Sequence, residues 1–83
     1  MAHRAEGRVI RLHVDNGHCY IRLAGVDISL DSYFELRQDH PNYNALYSLA
    51  LAAAANGNSL QIRTTGEIDA AHYPPVEYMV VDW

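Results

Sequence analysis

The sequence predicts a small, mainly β domain with one helix, and three observations carry that prediction. Apolar and polar residues alternate in Ile10, Leu12, Val14 and again in Cys19, Ile21, Leu23, which is the period of half-buried strands. Asn16-Gly17 separates those two runs, and this dipeptide suits a two-residue hairpin turn in which both central residues take positive φ. A third stretch, rich in Ala and Leu, lies between His40-Pro41 and Asn56-Gly57 and reads as a helix.

Each element follows in order. The two-residue loop sets a register in which Asp15 faces His18, Val14 Cys19, His13 Tyr20, Leu12 Ile21, Arg11 Arg22 and Ile10 Leu23. That register collects every apolar pair on one face and leaves Val9, Arg11 and His13 opposite Tyr20, Arg22 and Ala24 on the other. Ala24-Gly25 ends the second strand, and Val26, Ile28 and Leu30 alternate beyond it. A third main strand is expected within residues 32–37, around Tyr33-Phe34-Glu35-Leu36. Asp39-His40-Pro41 is a turn, because the residue before Pro avoids the helical region. Asn42 is then placed to cap a helix over 43–55, which Asn56-Gly57 stops. Leu60, Ile62 and Thr64 mark a fourth strand, 65–75 a loop, and Val76 to Trp83 a fifth strand. The whole chain, 1–83, is one domain with a flexible segment over residues 1–6.

Three antiparallel strands, a helix and two strands (β-β-β-α-β-β) is the order of the five-stranded OB-fold barrel, in which closure removes exposed edges. The alternative is an open α+β antiparallel sheet with one helix on a face. The segments Tyr33-Phe34-Glu35-Leu36, His40 to Gly57, Leu60 to Arg63 and Tyr78 to Trp83 resemble those of a type of small, uncharacterised bacterial OB-fold protein. The layout is also similar to the B subunits of bacterial AB-type toxins, which form rings and bind cell-surface sugars. That resemblance implies the fold and a tendency to oligomerise, and assigns no binding residue.

Charge and motifs exclude several functions. Six basic residues, all Arg, against ten acidic ones give a net charge of -4, which disfavours a general nucleic-acid binder. One cysteine, Cys19, excludes an intrachain disulfide framework and any multi-cysteine metal site. The start has no apolar core of a signal peptide, and the longest apolar run, Leu49 to Ala55, falls far short of the roughly 20 residues of a membrane span. A soluble protein follows, cytoplasmic or exported after removal of a leader. No nucleophile elbow, zinc-protease helix, phosphate loop or dinucleotide fingerprint occurs, so no enzyme and no cofactor is expected. Cys19 on the inner face is expected to be a buried, inert thiol. His13 and His18 are expected on opposite faces, and no pair of the five histidines has ligand spacing, so no metal site is expected.

Two surfaces remain as candidates. Arg11 across from Arg22 is unfavourable unless something acidic sits nearby, either a carboxylate such as Glu77 or Asp82 or an anionic ligand. With His13 and Tyr20 beside them, these residues form a candidate site for a sugar acid or a phosphate. No formal charge occurs between His40 and Arg63. The helix there sets Leu46, Leu49, Ala50 and Ala53 toward a core and Ala45, Ser48, Ala52 and Ala55 on another stripe, the candidate oligomer interface. The function expected is that of a non-catalytic oligomeric binding or scaffold protein recognising a glycan or other anionic ligand. A single-stranded nucleic-acid-binding module is the alternative.

Overall fold

A computed structural model describes residues 4–25, 33–65 and 74–81. Its elements are β1 (Arg4–Asp15), β2 (His18–Leu23), β3 (Tyr33–Leu36), α1 (Tyr43–Asn56), β4 (Ser59–Thr64) and β5 (Val76–Val81). The expectations on Val26 to Leu30, on most of the 65–75 loop, on Asp82 and on Trp83 lie outside the described residues. The strands form one sheet of order β3-β2-β1-β4-β5 in which every neighbouring pair is antiparallel.

The sheet is not closed into a barrel. Its edge strands meet through one isolated parallel bridge, Glu35 to Pro75, where the Glu35 N–H donates to the Pro74 carbonyl at 3.0 Å. Neither proline has an N–H to return, which restricts a ladder at that point. The open antiparallel sheet with one helix is therefore the arrangement that fits.

β1 begins at Arg4, so residues 4–6 are paired strand and not part of a flexible segment. This long strand serves two ladders. Arg4 to Arg8 pair with β4, and Val9 to Asp15 pair with β2. A β-bulge between Val9 and Arg11 separates them and corrects one pair of the expected hairpin register: Leu23 faces Val9, not Ile10. An extra residue in one strand reverses the side-chain alternation beyond it. Val9 thus packs against the core, whereas Ile10 is 51% exposed. The other five expected pairs are present, and Asn16 (φ 53°) and Gly17 (φ 82°) make the turn in the left-handed region. Val14 lies beyond the core near the hairpin tip and is 55% exposed, despite sharing a face with Leu12.

The core is Cys19, Ile21 and Leu23 of β2, Phe34 and Leu36 of β3, Leu60 and Ile62 of β4, and Val76 and Met79 of β5. Leu46, Ala50 and Ala53 of α1 cover it, with Leu49 half-buried beside them. Alanines facing the sheet let the helix lie close. Gly57 closes α1 in the left-handed conformation (φ 70°), and the N–H groups of Gly57 and Asn58 return to the Ala54 and Ala53 carbonyls.

The N-terminus of α1 differs from the expectation. Asn42 occupies the capping position but makes no side-chain cap bond. His40 organises this end instead. Its Nδ1 accepts the Asn42 N–H at 3.0 Å, so the neutral ring carries its proton on Nε2 and donates it to the Glu77 carbonyl at 2.9 Å. One imidazole thus ties the start of the helix to β5.

Candidate ligand-binding face

The β1–β2 and β2–β3 registers stack outward-facing residues of three strands into rows. Arg11, Arg22 and Tyr33 form the first row, and His13, Tyr20 and Glu35 the second. Asp15 and His18 begin a third. Neighbouring strands lie about 5 Å apart and successive rows about 7 Å apart, so the face is a short, wide platform. The four residues singled out in the sequence are brought together here, joined by Tyr33 and Glu35. The sequence offers Tyr33 as a platform ring and Glu35 as a carboxylate without placing either on this face, because no local signal states which strand lies beside β2. Only the Tyr20–Glu35 and Arg22–Tyr33 register does so.

Three rings make the centre of the platform. His13 and Tyr20 meet edge to face with centroids 5.9 Å apart, and Tyr33 stands 6.4 Å from each in the same manner. Such contacts hold rings in fixed orientations. His13 is exposed, while Tyr20 and Tyr33 are half-buried.

The cations of the first row are not neutralised by carboxylates of the described residues. Arg11 donates from Nη1 to the Tyr33 hydroxyl at 3.1 Å, which fixes the guanidinium and leaves its charge. Arg22 is exposed, and its guanidinium has no ion pair among the described residues. The carboxylate proposed from the sequence to answer them, Glu77, lies 3.7 Å from Arg63 instead, across the β4–β5 pair.

The second row ends in a carboxylate. The Tyr20 hydroxyl donates to Glu35 Oε2 at 3.4 Å, and Arg37 Nη1 lies 3.9 Å from Glu35 Oε1. Arg37 also reaches Asp39 at 3.4 Å. The face therefore runs from cationic to acidic along its strands.

His13 and His18 do not point to opposite faces. The pairs His13–Tyr20 and Asp15–His18 put both histidines on the outer side. His18 Nδ1 is occupied by the Gln38 N–H at 2.9 Å. Among the described residues no group of three or more metal-ligating side chains occurs. On the inner side, burial pushes the Cys19 thiol up to about 11, which keeps it protonated and unreactive at neutral pH.

The second candidate surface is the outer side of α1. Ala45, Ser48, Ala52 and Ala55 are all exposed, and Leu51 is exposed with them. Beside them a groove of about 470 Å³ opens between the second half of α1 and β5, lined by Leu49, Ala52, Ala53, Asn56, Asn58 and Val81. Tyr47 stacks on Tyr43 with centroids 6.2 Å apart, and both pack against the core rather than adding to this surface. No helix among the described residues is long and apolar enough to cross a membrane.

No known protein family, characterised protein or solved structure matches the chain.

Proposed function

We propose that this chain is a non-catalytic, oligomeric binding or scaffold protein that holds a glycan or other anionic small ligand on the outer face of β1, β2 and β3. The observation that carries the reading is Arg11 directly opposite Arg22, with no carboxylate among the described residues beside either guanidinium, next to the ordered rings of His13, Tyr20 and Tyr33. Like charges placed across from each other cost stability, and an anion bound between them offsets that cost. Rings with polar edges suit stacking on sugars. The reading is toxin-B-subunit-like in fold as well. The strand order, with its single β3–β5 bridge, supports an OB-like sheet whose closure is reduced to one contact. Self-association is assigned to the exposed stripe Ala45, Ser48, Ala52 and Ala55 with the adjoining apolar groove.

A single-stranded nucleic-acid module is the second reading. It is favoured by the placement of the rings and arginines around strands 2 and 3, the region OB-folds use for oligonucleotides. A glycan array and a fluorescence titration with single-stranded oligonucleotides at two salt concentrations separate the two. Saturable glycan binding supports the first reading, and salt-dependent oligonucleotide binding supports the second. Arg22→Ala is expected to weaken the ligand about tenfold, because a charge-assisted hydrogen bond is lost, with melting unchanged. Light scattering on a sizing column tests the assembly, and a monomer at high micromolar concentration refutes it.

A further inference from the structure

We infer that the β1–β3 face selects a small ligand with one anionic end and a hydroxyl-bearing ring, a sugar acid or a sugar phosphate, lying along the strands, and that it rejects a polyanionic chain. This rests on the reading of that face as the binding site and gives it a direction.

Among the described residues, the cationic part of the face toward the hairpin turn is one row deep and two residues wide; in the other direction Arg8 follows on the same side of β1, beyond the bulge. Along the strands, the next row toward the hairpin turn carries Glu35, and the row after it carries Asp15. Across the strands, the row ends at Arg11, because β4 pairs with β1 only over Arg4 to Arg8. On the other side it ends at Tyr33 of the edge strand β3. A nucleic acid needs cations repeated along its track. A chain that leaves the Arg11–Arg22 pair toward the turn meets a carboxylate about 7 Å further on, close to the spacing of its own phosphates, and one that leaves past Arg8 meets Glu6 next on β1.

A ligand with a single anion finds the reverse. Its charge sits on Arg11 and Arg22, and its ring lies over Tyr20 and His13. Its hydroxyls reach Glu35, which is half-buried yet accessible. The Tyr20 hydroxyl reaches only one Glu35 oxygen, at 3.4 Å, and Arg37 stands 3.9 Å away while also serving Asp39. An ionised carboxylate has about four acceptor sites, so sites remain for ligand hydroxyls. Arg11 is held by Tyr33 in advance of binding, which reduces the ordering that an anion must impose.

The test is an amide-shift titration of the whole protein with glucuronate, glucose 6-phosphate, glucose, inorganic phosphate and tetrathymidylate. It is run on the parent, Arg22→Ala and Glu35→Gln. Glucuronate or glucose 6-phosphate is expected to shift the amides of Arg11, Arg22, Tyr33 and Glu35 saturably, and the tighter of the two identifies the anion. Glucose and inorganic phosphate, each offering only one half of the recognition, bind about tenfold more weakly or worse. Arg22→Ala weakens both sugar anions. Glu35→Gln, which preserves shape and removes charge, is expected to weaken the sugar ligand about threefold and to strengthen tetrathymidylate by a similar factor. Opposite signs support the directional face. If Glu35→Gln moves both ligands the same way, or if tetrathymidylate binds the parent more tightly than either sugar anion, the inference falls while the face remains a binding site. If none of the five probes shifts these amides, the reading of the face falls as well.

Discussion

Replacing Gly7 with alanine should damage this fold more than replacing Gly25, and the reason is steric. A Cβ on Gly7 would lie 2.6 Å from the Ala24 carbonyl oxygen and 3.3 Å from the Leu23 Cβ. The first distance is far inside ordinary contact, and its partner is backbone, which cannot swing aside. The end of β2 also binds β1 here, since the Ala24 N–H donates to the Arg8 carbonyl at 2.8 Å. Relief requires β1 and the end of β2 to separate, which loosens that bond and displaces the fully buried Leu23. Overpacking of this kind costs about 1–3 kcal/mol, and a weakened hydrogen bond adds about 1 kcal/mol. Removing a glycine from the unfolded chain returns about 0.4–1 kcal/mol. A net loss of about 1–3 kcal/mol corresponds to a fall in Tm of roughly 5–20 °C for a domain of this size. Gly25→Ala is the control. Its φ of 75° disfavours alanine by about 1 kcal/mol, but nothing lies within 4 Å of the added carbon. Thermal unfolding followed by circular dichroism reads both. A Gly7→Ala protein that melts within about 2 °C of the parent, or above Gly25→Ala, refutes the close-approach argument.

Three further outcomes are expected. Burial raises the Cys19 thiol from 9.0 to about 11, so the folded state holds its proton longer than the unfolded chain. The associated stability is complete below about pH 9 and is lost as pH rises to 11, at up to about 1.4 kcal/mol per pH unit. Urea unfolding at pH 8, 9.5 and 11 should show this slope in the parent and a smaller one in Cys19→Ala; equal slopes refute it. Gly57→Ala, unlike most glycine replacements in helices, should destabilise by about 1 kcal/mol because φ is 70° at the end of α1. Denaturant midpoints check it, with Gly57→Asn expected to lose less. His40→Ala removes the bonds to Asn42 and Glu77 and should cost about 1–2 kcal/mol. Faster amide exchange at Asn42 and in the first turn of α1 should accompany the loss, and unchanged exchange there argues against the tie.

The hairpin and the helix were legible because their signals are local. Asn16-Gly17 imposes the turn, and alternation on both sides admits a single register, so five of six pairs follow from it. The Ile10 bulge was not legible. Val9 and Ile10 are both apolar, so either phase satisfies a local pattern, and the decision lies with β4, whose pairing places Ala5 inside. A capping role for His40, beside Pro41 and ahead of Asn42, follows from the local sequence, whereas its second partner, the Glu77 carbonyl, is distant in sequence and was not legible. The candidate site was half legible. Arg11, His13, Tyr20 and Arg22 follow from the hairpin alone, whereas Tyr33 and Glu35 needed the third strand in register beside it.

The lone bridge at Glu35 gives this residue two allegiances. Its side chain belongs to the outer platform, while its main-chain N–H is the stitch to Pro74 where the two rims of the sheet meet. Anything that grips the carboxylate also steadies that stitch. The exchange rate of one amide therefore doubles as a gauge of occupancy on the far side of the strand.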